Sequence, residues 1–415
     1  MKNTDSKSKC RFCGSTRLTS VVDLGKSPLC ESFLTAEQLS EPESFYKLQA
    51  FVCEDCFLVQ VEEHVSGEQI FGGDYAYFSS FSDSWLAHCR LFAEQVTQRF
   101  KLDASSQVIE LASNDGYLLQ NFVADGIPAL GIEPAENVAK AAIEKGVPTL
   151  VKFFGVKTAE ELSGEGIQAD LLCANNVLAH VPDLNDFVAG IKIALKPTGV
   201  ATIECPHLMR LFEGNQFDTI YQEHYCYFSI HALKNIFGHH GLEMFDIEEL
   251  ETHGGSLRLY LHHTEDNSHK VTENVHRLHN IEIEKGYDTA DAYSSFEERV
   301  HATKRNFLEF LIDAKRNNKQ VAGYGAPGKG NTLLNYCGVR TDFIDYVVDR
   351  NPYKHGKYLP GTHIPIYPPE QLAMTKPDYI VIMPWNLKDE IAAQLDYTKS
   401  WGAKLVVAIP ELTIL

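Results

Sequence analysis

Four of the ten cysteines form two Cys-x-x-Cys knuckles, Cys10-Arg11-Phe12-Cys13 and Cys53-Glu54-Asp55-Cys56, separated by 39 residues. Two such knuckles can supply the four thiolates of a tetrahedral zinc site, leaving no ligand position open for catalysis. A redox pair needs only one knuckle, and neither opens a thioredoxin-like helix. Cys10, Cys13, Cys53 and Cys56 are therefore read as ligands of a structural Zn2+, with Gly14 allowing the tight turn behind the first knuckle. A second concentration of chemistry lies at 217–231, FDTIYQEHYCYFSIH. Tyr221, Glu223, His224, Tyr225 and Tyr227 supply acids, bases and aromatics within seven positions, enough to form one side of a cleft.

A third stretch, VIELASNDG at 108–116, runs from apolar residues through an acid into a tight turn and then into residues of helical character. The next unit ends in Glu133, 17 residues past Gly116, close to the spacing at which an acidic side chain accepts the hydroxyls of a ribose. The turn lacks G-x-G-x-x-G, so it offers no cradle for a pyrophosphate. A ribose acid without a phosphate cradle suits S-adenosylmethionine. Glu110, Ala112, Asn114, Gly116 and Glu133 are the expected contacts, with Asn175 and Asn176 from a later strand end. A fourth stretch, Gly323-Tyr324-Gly325-Ala326-Pro327-Gly328, does match G-x-G-x-x-G, and Asp349 follows 26 residues after Gly323. Taken alone it suggests NAD. A helix start carrying Lys329 can equally hold any diphosphate, a nucleotide sugar's included, so Gly325, Gly328, Lys329 and Asn331 are the expected contacts there.

These residues need elements to hold them. Strand and helix patterns alternate from 106 to about 205 and again after 320, which predicts parallel sheets covered on both faces. The second knuckle should tip a hairpin of 48–53 against 57–61, residues 82–100 should be helical, and His253-Gly254-Gly255 should turn into a strand. The polar stretch 267–318 reads as a connector. Cys30, Cys89, Cys173, Cys205, Cys226 and Cys337 are scattered and read as structural fillers. At 415 residues the chain has room for two or three domains. Its net charge of −19, with no block of Lys or Arg, argues against a nucleic-acid partner. The N-terminus has no apolar signal core, and no run of about 18 apolar residues offers a membrane span, so a cytoplasmic protein is expected; a monomer is expected as well.

With these pieces placed, the chain resembles the nucleotide-sugar C-methyltransferases of deoxysugar biosynthesis, the sugar 3-C-methyltransferase of the tetronitrose pathway among them. The matching marks are the paired knuckles, ELASNDG, NNVLAHVPD, the Tyr221–His224 cluster, HGGSLR and GYGAPGKGNTLLNYCG, in family order over nearly the full length. The resemblance implies an α/β protein in three parts. These are a zinc-binding module (1–68), an S-adenosylmethionine-binding Rossmann-like domain (69–252), and a second Rossmann-like, doubly wound domain for the nucleotide sugar (253–415). It implies methylation of a carbon, C3 by that likeness, next to the 4-keto group of a dTDP-linked deoxysugar. The family's active-site positions fall on Tyr75, His180, Tyr221, Glu223 and His224, with Tyr77 an alternative to Tyr75 in the same loop.

Methylating carbon requires a carbanion, which a neighbouring ketone provides by enolising. A base must take the α-proton and donors must hold the charge on the carbonyl oxygen. His224 suits the base, since an unperturbed histidine is mostly neutral at pH 7. Glu223 can orient it or contact the substrate, and Tyr75, His180 or Tyr221 can donate to the enolate oxygen. The alternatives are an NAD-dependent nucleotide-sugar oxidoreductase using the Gly323 loop, a sugar O- or N-methyltransferase, and a non-catalytic nucleotide-sugar-binding protein.

Overall fold

A computed structural model describes residues 9–67 and 78–415. The strands β1 (Leu18–Ser27), β2 (Tyr46–Cys53) and β3 (Val59–Val61) form an antiparallel sheet, and the second knuckle is the turn between β2 and β3, as the alternation predicts. Its inner face (Val22, Leu24, Leu48, Ala50, Val52) is buried.

The second sheet opens with β4 (Val108–Leu111), β5 (Ala129–Ile132), β6 (Thr149–Leu150), β7 (Ala169–Asn175) and β8 (Leu195–Pro206). Strands such as β4 and β7 are buried along almost their whole length because helices cover both faces of a parallel sheet. A short strand β9 (Cys226–Tyr227) follows, and then β10 (Leu242–Leu250) and β11 (Ser256–His263). The order is β10-β11-β8-β7-β4-β5-β6, parallel except where β11 runs against both its neighbours. The direction of winding reverses between β4 and β7, and at such a point the strand ends leave a crevice for ligands.

Two strand pairings run across the expected divisions of the chain. Strand β9, directly after the Tyr221–His224 cluster, pairs with β3 through Val59–Tyr227 and Gln60–Cys226, so it is the fourth strand of the zinc module's sheet. Strand β11 belongs to the second sheet, so the β10–β11 hairpin spans the expected division at 252/253. A hairpin's register lies between its strands and not in either strand's own pattern, which is why the turn at His253 resembles a boundary.

The 267–318 stretch is more than a connector. Its first helix, Glu273–Glu284, carries the wholly buried Glu282, which accepts hydrogen bonds from the backbone N–H groups of Ile230 and His231 (both 2.9 Å) and shares a proton contact with His207 Nε2 at 2.7 Å. That carboxylate satisfies the N-terminal amides of helix Ile230–His239. The second helix, Phe296–Arg316, buries Phe296, Val300, Phe307 and Leu311 in a core shared by the zinc module and the last sheet.

That last sheet contains β12 (Val321–Tyr324), β13 (Val347–Val348), β14 (Ile366–Tyr367), β15 (Tyr379–Ile382), β16 (Lys404–Val407) and β17 (Thr413–Ile414). Its order, β14-β13-β12-β15-β16-β17, is doubly wound, with β17 antiparallel. The α/β architecture, two Rossmann-like sheets behind a cysteine-knuckle module, is the one expected.

Candidate active site

The four knuckle cysteines converge, their sulfurs all lying within 4.8 Å of one another. Cys10 Sγ and Cys56 Sγ are 3.5 Å apart, as are Cys13 Sγ and Cys53 Sγ. A tetrahedral site with Zn–S bonds of about 2.3 Å has edges of roughly 3.8 Å, so the donor set fits zinc. The second turn is set by Phe57 at φ +57, whose N–H donates to Cys53 O at 2.9 Å. Arg11, between the first pair, donates to Val61 O (2.9 Å) and Pro182 O (2.8 Å), which ties the knuckle to the second domain.

The expected cofactor residues gather at the switch point. Glu133 is 5% exposed, and its two carboxylate oxygens accept from the N–H groups of Asn114 (2.9 Å) and Ala135 (2.8 Å). The turn is bent by Ala112 (φ +52), Asn114 (φ +48) and Gly116 (φ +77), which brings the chain against Glu133. Glu110 is wholly buried beside the Tyr117 hydroxyl, and burial pushes its carboxyl well above the usual range. Asn175 and Asn176 end β7, and each has a buried side-chain oxygen without a hydrogen-bond partner among the described residues. Orphaned acceptors at a strand-end switch point fit S-adenosylmethionine.

The same strand ends carry an ion-pair network. Glu204 of β8, buried to 1%, meets Arg258 Nη2 at 2.6 Å and His88 Nε2 at 3.2 Å. The arginine of HGGSLR thus neutralises a buried acid. His253, in the same motif, sits at φ +56 with Nε2 at 3.3 Å from Asn176 Nδ2, and burial lowers its pKa to about 4.

The Tyr221–His224 cluster follows β8. His224 Nδ1 lies 2.8 Å from the carbonyl oxygen of Thr219. A carbonyl can only accept, so the ring carries its proton on Nδ1 and its lone pair on Nε2. The Tyr221 hydroxyl donates to that lone pair at 2.9 Å. The His180 ring stands edge-on to His224 at 4.7 Å, and burial lowers the His180 pKa to about 4. Burial, then the neighbouring His180, pushes His224 well below its ordinary value, so both rings are neutral at pH 7. Glu223 is pushed up to about 8 by burial and then by Glu31. His180, Tyr221, Glu223 and His224 are thereby brought together, whereas Tyr75 and Tyr77 lie outside the described residues.

The last domain closes over this cluster. Trp385 donates Nε1–H to Asp218 Oδ2 at 2.8 Å, one residue before the Thr219 carbonyl that fixes His224. Its ring lies against Gly254 (φ +91), where a Cβ would come within 2.5 Å, which accounts for glycine in HGGSLR. Lys329 stands 4.7 Å above the Trp385 ring and donates to Asn386 Oδ1 at 2.8 Å. Thr332 of helix Gly328–Cys337 lies 3.2 Å from Ile220 O. Gly325 (φ +86) and Gly328 shape the loop before that helix, and Asn331 lies within it, 1% exposed. Asp349, the acid that a dinucleotide reading would place on a ribose, accepts from the N–H groups of Ala326 and Asn351, both at 2.7 Å.

Sequence reasoning missed Thr219, Trp385 and Cys30. Cys30 Sγ lies 3.5 Å from Glu223 Oε1, so it is no mere filler, yet 193 residues separate the two and no spacing links them.

Family models match along the chain: a zinc binding domain at 10–71, a methyltransferase domain at 85–247, and a C-methyltransferase C-terminal domain at 251–410. The C-methyltransferase NovU of Streptomyces niveus is 33% identical over 406 residues, covering 97% of this chain and 96% of that one. The chain belongs to the C-methyltransferase family. It is an enzyme that takes its methyl group from S-adenosylmethionine, with a structural zinc at the four cysteines. A ubiquinone biosynthesis O-methyltransferase of Bartonella tribocorum is 26% identical over 136 residues, 31% of this chain and 54% of that one. The CcbJ methyltransferase of Streptomyces caelestis superposes with a TM-score of 0.36 at 13% identity, over 48% of this chain and 99% of that one. The second Rossmann-like domain of this C-methyltransferase is therefore a C-methyltransferase's own C-terminal domain, which removes the oxidoreductase reading of its glycine loop. No helix among the described residues is long and apolar enough to cross a membrane.

Proposed function

We propose that this C-methyltransferase, acting as a monomer, methylates C3 beside the 4-keto group of a nucleotide-linked deoxysugar, dTDP-linked by preference, through an enolate. The observation that carries the reading is the tautomer of His224, which holds its proton on Nδ1 against Thr219 and keeps Nε2 as a base. Its neutral state at pH 7 leaves the lone pair available. When the acceptor enters, the Tyr221 hydroxyl leaves Nε2 for the 4-keto oxygen. The C3–H bond then breaks, its proton passes to Nε2, and its electron pair moves into the carbonyl. Charge on the oxygen is held by Tyr221 and the adjoining His180, with Tyr75 a further donor. Glu133, Asn114, Asn175 and Asn176 hold S-adenosylmethionine, with Glu110, Ala112 and Gly116 shaping the turn; the cofactor supplies an electrophilic methyl group for the enolate carbon.

The nucleotide sugar lies between the cluster and the last domain, lined by Gly325, Gly328, Lys329 and Asn331. Because Asp349 already engages the Ala326 amide, the loop's main offering to a diphosphate is the Lys329 ammonium. O- or N-methylation would need no base acting on carbon, and His224 would then take the proton of a hydroxyl or an amine, so the atom that receives the label separates the readings. The test is incubation with labelled S-adenosylmethionine and a panel of dTDP-, CDP- and GDP-4-ketosugars. Label should enter the dTDP sugar as a carbon-bound methyl, and label on a sugar oxygen or nitrogen would overturn the reading.

A further inference from the structure

The zinc module sends a loop, beginning Pro28-Leu29-Cys30-Glu31, from the end of β1 into the seam between the catalytic cluster and the last domain. Cys30 is 2% exposed, and its thiol is 3.5 Å from Glu223 Oε1. It packs so closely on the start of helix Gly328–Cys337 that a Cβ on Gly328 would come within 2.9 Å of the sulfur. The Glu31 carboxylate lies at the same helix start, 3.7 Å from that Cβ position, and hydrogen-bonds the Gly328 backbone. Its other neighbour is Lys354 Nζ at 3.6 Å, which also donates to Ala326 O at 2.8 Å. The Glu31 side chain keeps 22% of its surface open, so it is not sealed in the core.

We propose that Cys30 and Glu31 complete the active site from the zinc module, with Glu31 a positioning residue that keeps Glu223 a hydrogen-bond donor toward the acceptor. The inference rests on Glu223 standing in the active site as described above. Two carboxyls close enough to repel cannot both ionise cheaply, and the one nearer the Lys354 ammonium keeps the charge. Burial raises the Glu31 carboxyl too, but Lys354 Nζ at 3.6 Å and the Gly328 backbone hold it down, whereas on Glu223 the push from Glu31 outweighs both the Cys30 thiol and the weaker pull of Lys354, with the neutral His180 nearby. Asp349 adds a further negative charge on the Glu31 side. The Cys30 S–H occupies Oε1 of Glu223, which leaves the acid proton on Oε2. Burial and Glu31 together place loss of that proton near pH 8, so the donor is present below that pH and lost as pH rises through it. The consequence for the architecture is that the zinc module is part of the reaction site and not only a fold anchor.

The pH dependence of kcat/KM for methyl transfer, measured from pH 6 to pH 10 on the full-length zinc-loaded protein, tests this. The wild type should lose activity on the basic side near pH 8. Glu31→Gln removes the neighbouring charge, so Glu223 should ionise sooner and the basic limb should move down by about one pH unit or more. Cys30→Ala removes the thiol donor that favours the carboxylate, so its limb should move up. Opposite displacements from two adjacent residues are not what a shared loss of structure produces, and Cys30→Ala still tests the proposal if Glu31→Gln fails to fold. Glu223→Gln, an amide donor at every pH, should show no such limb, at reduced turnover. Limbs unmoved in both Glu31→Gln and Cys30→Ala, with Glu223→Gln still abolishing the limb, would overturn the role of Cys30 and Glu31 while leaving Glu223 in place. A limb that persists in Glu223→Gln would instead overturn the placement of Glu223 itself.

Discussion

Glu133→Ala tests the cofactor site most simply. The carboxylate accepts two backbone amides, from Asn114 at 2.9 Å and Ala135 at 2.8 Å, and its remaining lone pairs are the acceptors proposed for the ribose hydroxyls. Hydrogen bonds to a charged acceptor are worth about 1.5–3 kcal/mol each. Losing the ribose interaction alone should therefore weaken S-adenosylmethionine by roughly 10- to 150-fold, since about 1.4 kcal/mol is tenfold. The amides left without their acceptor cost a further 1–3 kcal/mol or so each if water does not replace it, and this loosens the Ala112–Gly116 turn as well. Glu133→Gln should fall between, because the amide nitrogen presents a donor to one of the two N–H groups. Titration calorimetry with S-adenosylmethionine and with S-adenosylhomocysteine reads the effect directly. An Ala variant that binds both with wild-type affinity would show that the ribose sits elsewhere.

Other expectations follow from single contacts. Natively purified protein should contain one zinc per chain by elemental analysis, and replacing Cys53 by Ala should destabilise the N-terminal module by several kcal/mol, because structural zinc contributes roughly 10 kcal/mol or more of apparent binding energy. Zinc-free protein with these thiols paired as disulfides would refute that. Gly254→Ala forces a methyl to within 2.5 Å of the Trp385 ring at a φ of +91, so it should break the Trp385–Asp218 hydrogen bond and raise KM for the nucleotide sugar. An unchanged KM would mean that the seam between the domains can yield there. Since burial lowers both His180 and His224, activity on the acid side should persist well below the pH at which an exposed histidine protonates, and an acid limb near pH 6.5 would contradict this.

Most of the scaffold is legible in the sequence because its signals are local. The knuckles, the strand runs such as ADLLCAN and the glycine turns each report on a few neighbouring residues, and those elements occur within two or three residues of where the pattern places them. What is not legible depends on pairing across distance. That β9 joins the zinc module's sheet, or that β11 closes the second one, follows from registers no window contains. The site divides the same way. Tyr221 and His224 are three residues apart in sequence and touch, while the Thr219 carbonyl that fixes the His224 proton is a backbone atom with no side-chain signature. Cys30 resembles any buried cysteine until the fold carries it to Glu223.

Proton abstraction by His224 is the central claim, and exchange of the acceptor's C3 proton into deuterated water tests it most directly. The wild type, with dTDP-4-ketosugar and S-adenosylhomocysteine in place of the methyl donor, should exchange that proton. His224→Asn should bind both ligands nearly as well, yet lower exchange and, with S-adenosylmethionine, methylation together by about 10²–10⁴-fold. Loss of methylation with wild-type exchange would contradict the account and pass proton abstraction to His180 or Tyr221.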